Sequence, residues 1–284
     1  HLSIRRQRQM CIRDSLTVHP VRTPIAGTPA DVGLAYEDVT LTTGDGLRLA
    51  GWYIPSENGA AVIAVHGHAG NRSHTLTHAA ALADAGYGVL AFDQRAHGES
   101  EGDTFASGWE SDLDVLAAVD YLQARGDVEP GRIGALGLSA GANAVIYAAA
   151  RTDQIHALIV DGTPLGATAD VLDPLLPEFR LVFFMTPANW MEQQMIELFS
   201  GYSRARPIKE HVPLVAPRPI LFIAAGNDWV ESAVARRYHR LAGPNAELWI
   251  VPGAGHLGGI VAYPEEYTAR MHTFFDAHLG VGAR

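Results

Sequence analysis

Residues 132–150 read RIGALGLSAGANAVIYAAA, and this stretch decides the fold. Arg132 to Leu138 has the apolar character of a strand buried on both faces of a parallel sheet. Ala140 to Ala150 is a run of small residues that suits a closely packed helix. Gly137-Leu138-Ser139-Ala140-Gly141 joins the two as G-x-S-x-G. A sharp strand-to-helix turn strains the serine backbone and pushes Oγ into the open. Gly137 and Gly141 fit that turn because side chains there would strike the adjoining strand and helix. The first N–H of the helix, on Ala140, would point to where negative charge on a reacting oxygen gathers. A plain N-cap serine would also explain residue 139. The motif in its strand-and-helix context points instead to a nucleophile.

The flanking sequence repeats the same alternation. Tyr36–Thr43 and Leu47–Ile54, joined by Gly44-Asp45-Gly46, predict an antiparallel hairpin. Ala61–Val65 (AVIAV) predicts a buried strand, Ser73–Ala85 a helix stopped by Gly86, and Val89–Phe92 the next strand. Trp109–Arg125 predicts a helix and Ile155–Val160 a strand. After an irregular, proline-rich stretch the rhythm resumes: strand Pro219–Ala225, helix Val230–Leu241, strand Glu247–Val251, helix Pro264–Leu279. A hairpin followed by repeated βα units implies a doubly wound, mostly parallel α/β sheet. The expected organisation is a core of residues 16–163 and 218–284, with residues 164–217 inserted as a helical lid. His1–Ser15 (HLSIRRQRQMCIRDS) resembles translated sequencing-adaptor sequence and is set aside as non-native. Leu16–Gly33 is read as a surface lead-in.

Composition narrows the function classes. Apolar residues make up 48% and charged residues 18%, enough for a large core. The net charge of −10 disfavours nucleic acid and anionic membrane surfaces as partners. The single cysteine, Cys11, excludes an internal disulfide and a cysteine-based zinc site. No apolar run reaches the roughly 20 residues that span a bilayer. With no signal-peptide pattern, the cytoplasm is the default expectation; a signal or anchor upstream of residue 16 would redirect it.

Ser139 in its elbow, with the strand order above, resembles the α/β-hydrolase superfamily. FDQRAHGES (Phe92–Ser100) and HGHAGNR (His66–Arg72) are similar to the branch that holds the Bem46, dienelactone-hydrolase-like and prolyl-oligopeptidase-like proteins. The resemblance implies a Ser-Asp/Glu-His order along the chain. The base is then His256, in the glycine-rich loop PGAGHLGG after the last strand. His239, His272 and His278 fall on predicted helices. The expected acid is Asp228, just past the strand that ends at Ala225; Asp161, after the preceding strand, is the rival. A helix N-cap is the alternative role for Asp228. The resemblance further implies the backbone N–H groups of His68 and Ala140 as an oxyanion hole. It also implies an Asp93–Arg95 contact in the D-x-R-x-H-G turn, where Ala96 replaces the usual glycine.

Phe183, Phe184, Met191 and Met195 are candidates for an acyl pocket, with lid packing as the equal alternative. His66, His68, His74 and His78 lack accompanying carboxylates, so no metal is expected, and no cofactor. The function expected is serine hydrolysis of a carboxylic ester on a small-molecule acyl substrate. A peptidase, amidase or thioesterase on the same core is the alternative. A non-catalytic binding module is the reading outside enzymology, weakened by the intact elbow glycines and triad candidates.

Overall fold

The computed structural model describes residues 19–105, 110–165, 170, 191 and 206–281. Its strands are β1 (Glu37–Thr42), β2 (Arg48–Ile54), β3 (Ala61–Val65), β4 (Gly88–Phe92), β5 (Ile133–Leu138), β6 (Ala157–Asp161), β7 (Ile220–Ala225) and β8 (Ala246–Val251). The helices are α1 (Leu76–Asp84), α2 (Ser111–Gln123), α3 (Ala140–Ala149), α4 (Ile208–Val215), α5 (Trp229–Ala242), α6 (Gly259–Ala262) and α7 (Pro264–His278). The strands form one sheet in the order β1-β2-β4-β3-β5-β6-β7-β8. Pairings β1/β2 and β2/β4 are antiparallel, and all others are parallel. This is the α/β-hydrolase architecture.

The central strands read as continuous apolar runs because both of their faces are covered. Ile63 and Val65 of β3 pack with α2, α3, α4 and α5 on one face. Val62 and Ala64 of the same strand pack with α1 and α7 on the other. Alternate side chains thus serve two separate cores. The β1–β2 hairpin differs: β1 is mostly exposed, in keeping with its edge position.

Parallel register aligns the strand ends that matter. Val65 pairs with Gly137, Leu138 with Asp161, Asp161 with Ile223, and Ala225 with Val251. Residues just beyond these positions emerge at one edge of the sheet, where open α/β sheets present their ligand-binding groups.

Part of the stretch expected as a lid belongs to the core. Helix α4 lies within residues 164–217, and its Ile208, Val212 and Val215 are buried in the core shared with α3 and α5. Pro213 stands inside it, which is why a proline-based reading stops short of a helix. Phe183, Phe184 and Met195 lie outside the described residues; Met191 is described and exposed. No helix among the described residues is long and apolar enough to cross a membrane.

Candidate active site

Ser139 sits between β5 and α3 at φ 52° and ψ −118°, a conformation that side-chain-bearing residues seldom adopt. The surrounding structure holds it there. The Ser139 N–H donates to the Asp161 carbonyl at 2.8 Å, and the Ser139 carbonyl accepts from the Ala142 N–H at 2.9 Å. A Cβ on Gly137 would lie 2.6 Å from the Ala142 Cα. A Cβ on Gly141 would lie 2.6 Å from the His66 carbonyl oxygen and closer still to that of Val65. Both neighbours are backbone, so neither can yield, and α3 packs on β3 and β5 only because these residues lack side chains.

His256 comes from the loop between β8 and α6. Its Nε2 lies 3.0 Å from Ser139 Oγ. The ring fits because residue 162 is glycine: a Cβ there would come within 2.7 Å of His256 Cε1. His256 Nδ1 is 2.6 Å from Glu231 Oε2. The hydrogen bond and charge of Glu231 raise the imidazole pKa above its usual 6.5, against partial burial.

The carboxylate on His256 is therefore Glu231, which the sequence reading did not single out. Asp228, the expected acid, caps the helix instead. Its Oδ1 accepts from the Val230 and Glu231 N–H groups at 2.9 and 3.0 Å, capping α5. Asp228 stands close enough for its charge to help raise the His256 pKa, but the hydrogen bond to the ring comes from Glu231, in the first turn of α5. There Glu231 Oε1 also accepts the Ala225 N–H at 2.6 Å, which fixes the carboxylate while Oε2 faces the histidine. The sequence signal was present in Asp228-x-x-Glu231, the pattern of a capping residue followed three positions later by Glu. The rival Asp161 is buried and accepts from the Tyr267 hydroxyl at 2.9 Å. Burial pushes its pKa up to about 7.

The turn after β3 packs against the elbow: a Cβ on Gly67 would lie 3.1 Å from Ser139 Cβ. Within it, Gly70 N–H donates to Gly67 O at 3.2 Å, and Ala69 N–H donates to His97 Nε2 at 3.2 Å. His68 stands between Gly67 and Ala69 in this turn, and the Ala140 N–H is the first of α3, without an intrahelical acceptor. His68 is exposed, whereas His66 is buried with its ring nitrogens on Gly67 O and the Gln94 N–H. Burial lowers the His66 pKa to about 3. His78 is buried against Tyr267, and His74 is exposed. Among the described residues, no three His, Cys, Asp or Glu side chains are grouped to hold a metal ion.

The expected Asp93–Arg95 contact does not form. Asp93 is ion-paired with Arg72 and accepts the Arg72 and Glu99 N–H groups at 2.7 and 2.8 Å. Arg95 runs to Asp114 at 2.8 Å and to Asp45 at 2.9 Å. Ala96, just beyond them, is left-handed at φ 62°.

Residues 56–206, more than half of the chain, match the family model described as serine aminopeptidase, S33. YfhR of Salmonella typhimurium is 35% identical over 274 residues, covering 89% of this chain and 84% of its own length. The chain belongs to this family of α/β-hydrolases. A second family-level relative, Rv2307c of Mycobacterium tuberculosis, is 34% identical over 227 residues, covering 78% of this chain and 73% of its own. Among solved structures, the Pyrococcus furiosus esterase Pf2001 superposes with a TM-score of 0.72 at 28% identity, covering 93% of this chain and all of that one. Membership makes this chain a hydrolase by family.

Proposed function

We propose that this hydrolase cleaves carboxylic esters through an acyl-enzyme on Ser139. The observation that carries the reading is the unbroken relay from Ser139 Oγ through His256 to Glu231 at a strained elbow. A serine hydroxyl needs a base to act at neutral pH. His256 Nε2 takes the Oγ proton as Oγ attacks the ester carbonyl carbon. Glu231 holds the proton on Nδ1 and stabilises the imidazolium that forms. The tetrahedral oxyanion is received by the N–H groups of His68 and Ala140. His256 then gives its proton to the departing alkoxide, and the alcohol leaves. Water, deprotonated by His256, attacks the acyl-serine; the acid departs and Oγ regains its proton. Asp228 supports this relay indirectly, by capping the helix that carries Glu231.

The esterase Pf2001, similar over nearly the whole chain, supports ester chemistry. The name of the matching family favours a second reading, release of N-terminal amino acids from peptides. The deciding experiment is hydrolysis of p-nitrophenyl esters from acetate to palmitate beside amino-acid p-nitroanilides, with wild type and Ser139→Ala in parallel. The expected result is ester turnover that disappears in the mutant while its Tm stays near wild type. A mutant keeping most of its activity sinks the nucleophile assignment, and anilide turnover in place of ester turnover moves the reading to the peptidase.

A further inference from the structure

The lead-in before β1 is tied to the site in a way that the hydrolytic scheme does not use. Arg22 is exposed, yet its guanidinium donates to four carbonyl groups of a single turn. Nη1 reaches His97 O at 3.1 Å, Gly98 O at 2.9 Å and Ser100 O at 2.6 Å. Nη2 reaches Gly102 O at 2.8 Å. A planar fork of donors can gather carbonyls from different points of a turn; a single ammonium cannot match that geometry. The next residues hold the other side. Asn71 Nδ2 donates to the carbonyls of Thr23 and Pro24 at 3.1 and 3.0 Å, and Thr23 Oγ1 approaches Ala69 O at 3.4 Å.

Between these two anchor points stands His97, fully buried. Its Nδ1 donates to Arg95 O at 2.9 Å, which leaves Nε2 as the acceptor for the Ala69 N–H. Its ring packs edge-on against Phe105 and His66, at centroid distances of 4.6 and 5.1 Å. Ala69 has φ 55°, a left-handed conformation that persists only where neighbours fix it. The residue held by this arrangement directly follows His68.

We propose that Arg22 and His97 are positioning residues for the His68 amide: the strap of residues 19–27 fixes the 97–102 turn, and His97 in that turn fixes the turn carrying the oxyanion donor. This rests on the reading of His68 N–H as an oxyanion donor. Neither residue touches the triad, so their effect is on where the donor points. Burial keeps His97 neutral, with a pKa lowered to about 4, so Nε2 remains an acceptor at neutral pH.

The test uses the full chain with Arg22→Ala, Arg22→Lys and His97→Leu. Arg270→Ala is the control, since it breaks the ion pair with Glu266 on α7. Two quantities are read: p-nitrophenyl ester kinetics and the hydrogen-exchange rate of the Ala69 amide. Losing one oxyanion donor costs about 10²–10³ in kcat, and loosening it costs part of that. Arg22→Ala is expected to lower kcat about tenfold with KM within about twofold, and to speed Ala69 exchange about tenfold. Arg22→Lys should recover part of both, and His97→Leu should lose more than Arg22→Ala. A folded Arg22→Ala protein with unchanged kcat, or with unchanged Ala69 exchange, overturns the proposal, as does an equal loss in Arg270→Ala. If Arg22→Ala does not fold, Thr23→Val removes the hydroxyl on the other side and is judged by the same two readings. If wild type turns over no ester, the reading of function fails, and Ala69 exchange alone still decides whether the strap holds this turn.

Discussion

The elbow at residues 137–142 and the β7–α5 turn at residues 226–231 both deliver a polar group to the same histidine, and they do so by different physics. At the elbow, steric exclusion decides the outcome. Gly137 and Gly141 face backbone atoms at distances that no Cβ tolerates, so the chain has one path and Ser139 one place. At the β7–α5 turn, two carboxylates three residues apart are both near His256, and reach decides between them. Asp228 hydrogen-bonds the helix terminus and acts on the imidazole only through its charge, while Glu231 hydrogen-bonds the ring. A constraint imposed by excluded volume is visible in local sequence. A division of labour between like groups is settled by helix geometry.

That contrast can be broken most severely at Glu231. Glu231→Gln is expected to lower kcat by about 10³–10⁴ with the fold retained, the scale set by losing the orienting acid of a triad. The pH profile adds a signed check. The carboxylate raises the His256 pKa above 6.5, and catalysis needs the neutral ring, so the acid limb of kcat/KM in wild type should lie above pH 6.5. Removing the negative charge should move that limb to lower pH. If Asp228→Asn shows the large loss and Glu231→Gln does not, the assignment of the two carboxylates is reversed.

Gly141→Ala probes the steric side. Its Cβ would press on the carbonyls of Val65 and His66, so a loss of about 3 kcal/mol is expected, at the upper end for an overpacked core. Urea denaturation measures it; a stability within about 0.5 kcal/mol of wild type would mean the elbow has more room than its geometry implies.

The smallest effects belong to Asp228. Asp228→Ala should cost about 1 kcal/mol of stability as the cap of α5 is lost, with kcat down by less than about tenfold. Asp228→Asn keeps a capping oxygen and should be close to wild type in both. A thousandfold drop in kcat for the Asn variant would show Asp228 acting on the histidine directly.

The sequence was most legible where structure is local. AVIAV suits a strand covered on both faces, and G-x-S-x-G between such a strand and a small-residue helix points to an elbow rather than a plain N-cap serine. It was least legible where a residue had several plausible partners. Asp93 and Arg95 stand two positions apart in a familiar turn, yet bond to Arg72 on one side and to Asp114 and Asp45 on the other. Pro213 argues against a helix at α4, and only the burial of Ile208, Val212 and Val215 against α3 and α5 outweighs that. Arg22 looked like part of a surface lead-in because the four carbonyls it binds lie 75 to 80 residues away.

The sequence by itself determined the succession of strands and helices along the chain and singled out Ser139 and His256, which the structure brings to 3.0 Å. Each rests on a local pattern: hydrophobic period, glycine spacing, or a small-residue loop after a strand. Only the tertiary structure decided which acid meets His256 and what holds the turn beside Ser139. Those outcomes depend on distances between segments far apart in the chain. Several groups of equal chemistry compete for one partner there, and the competition is resolved by which of them the packed backbone brings within 3 Å.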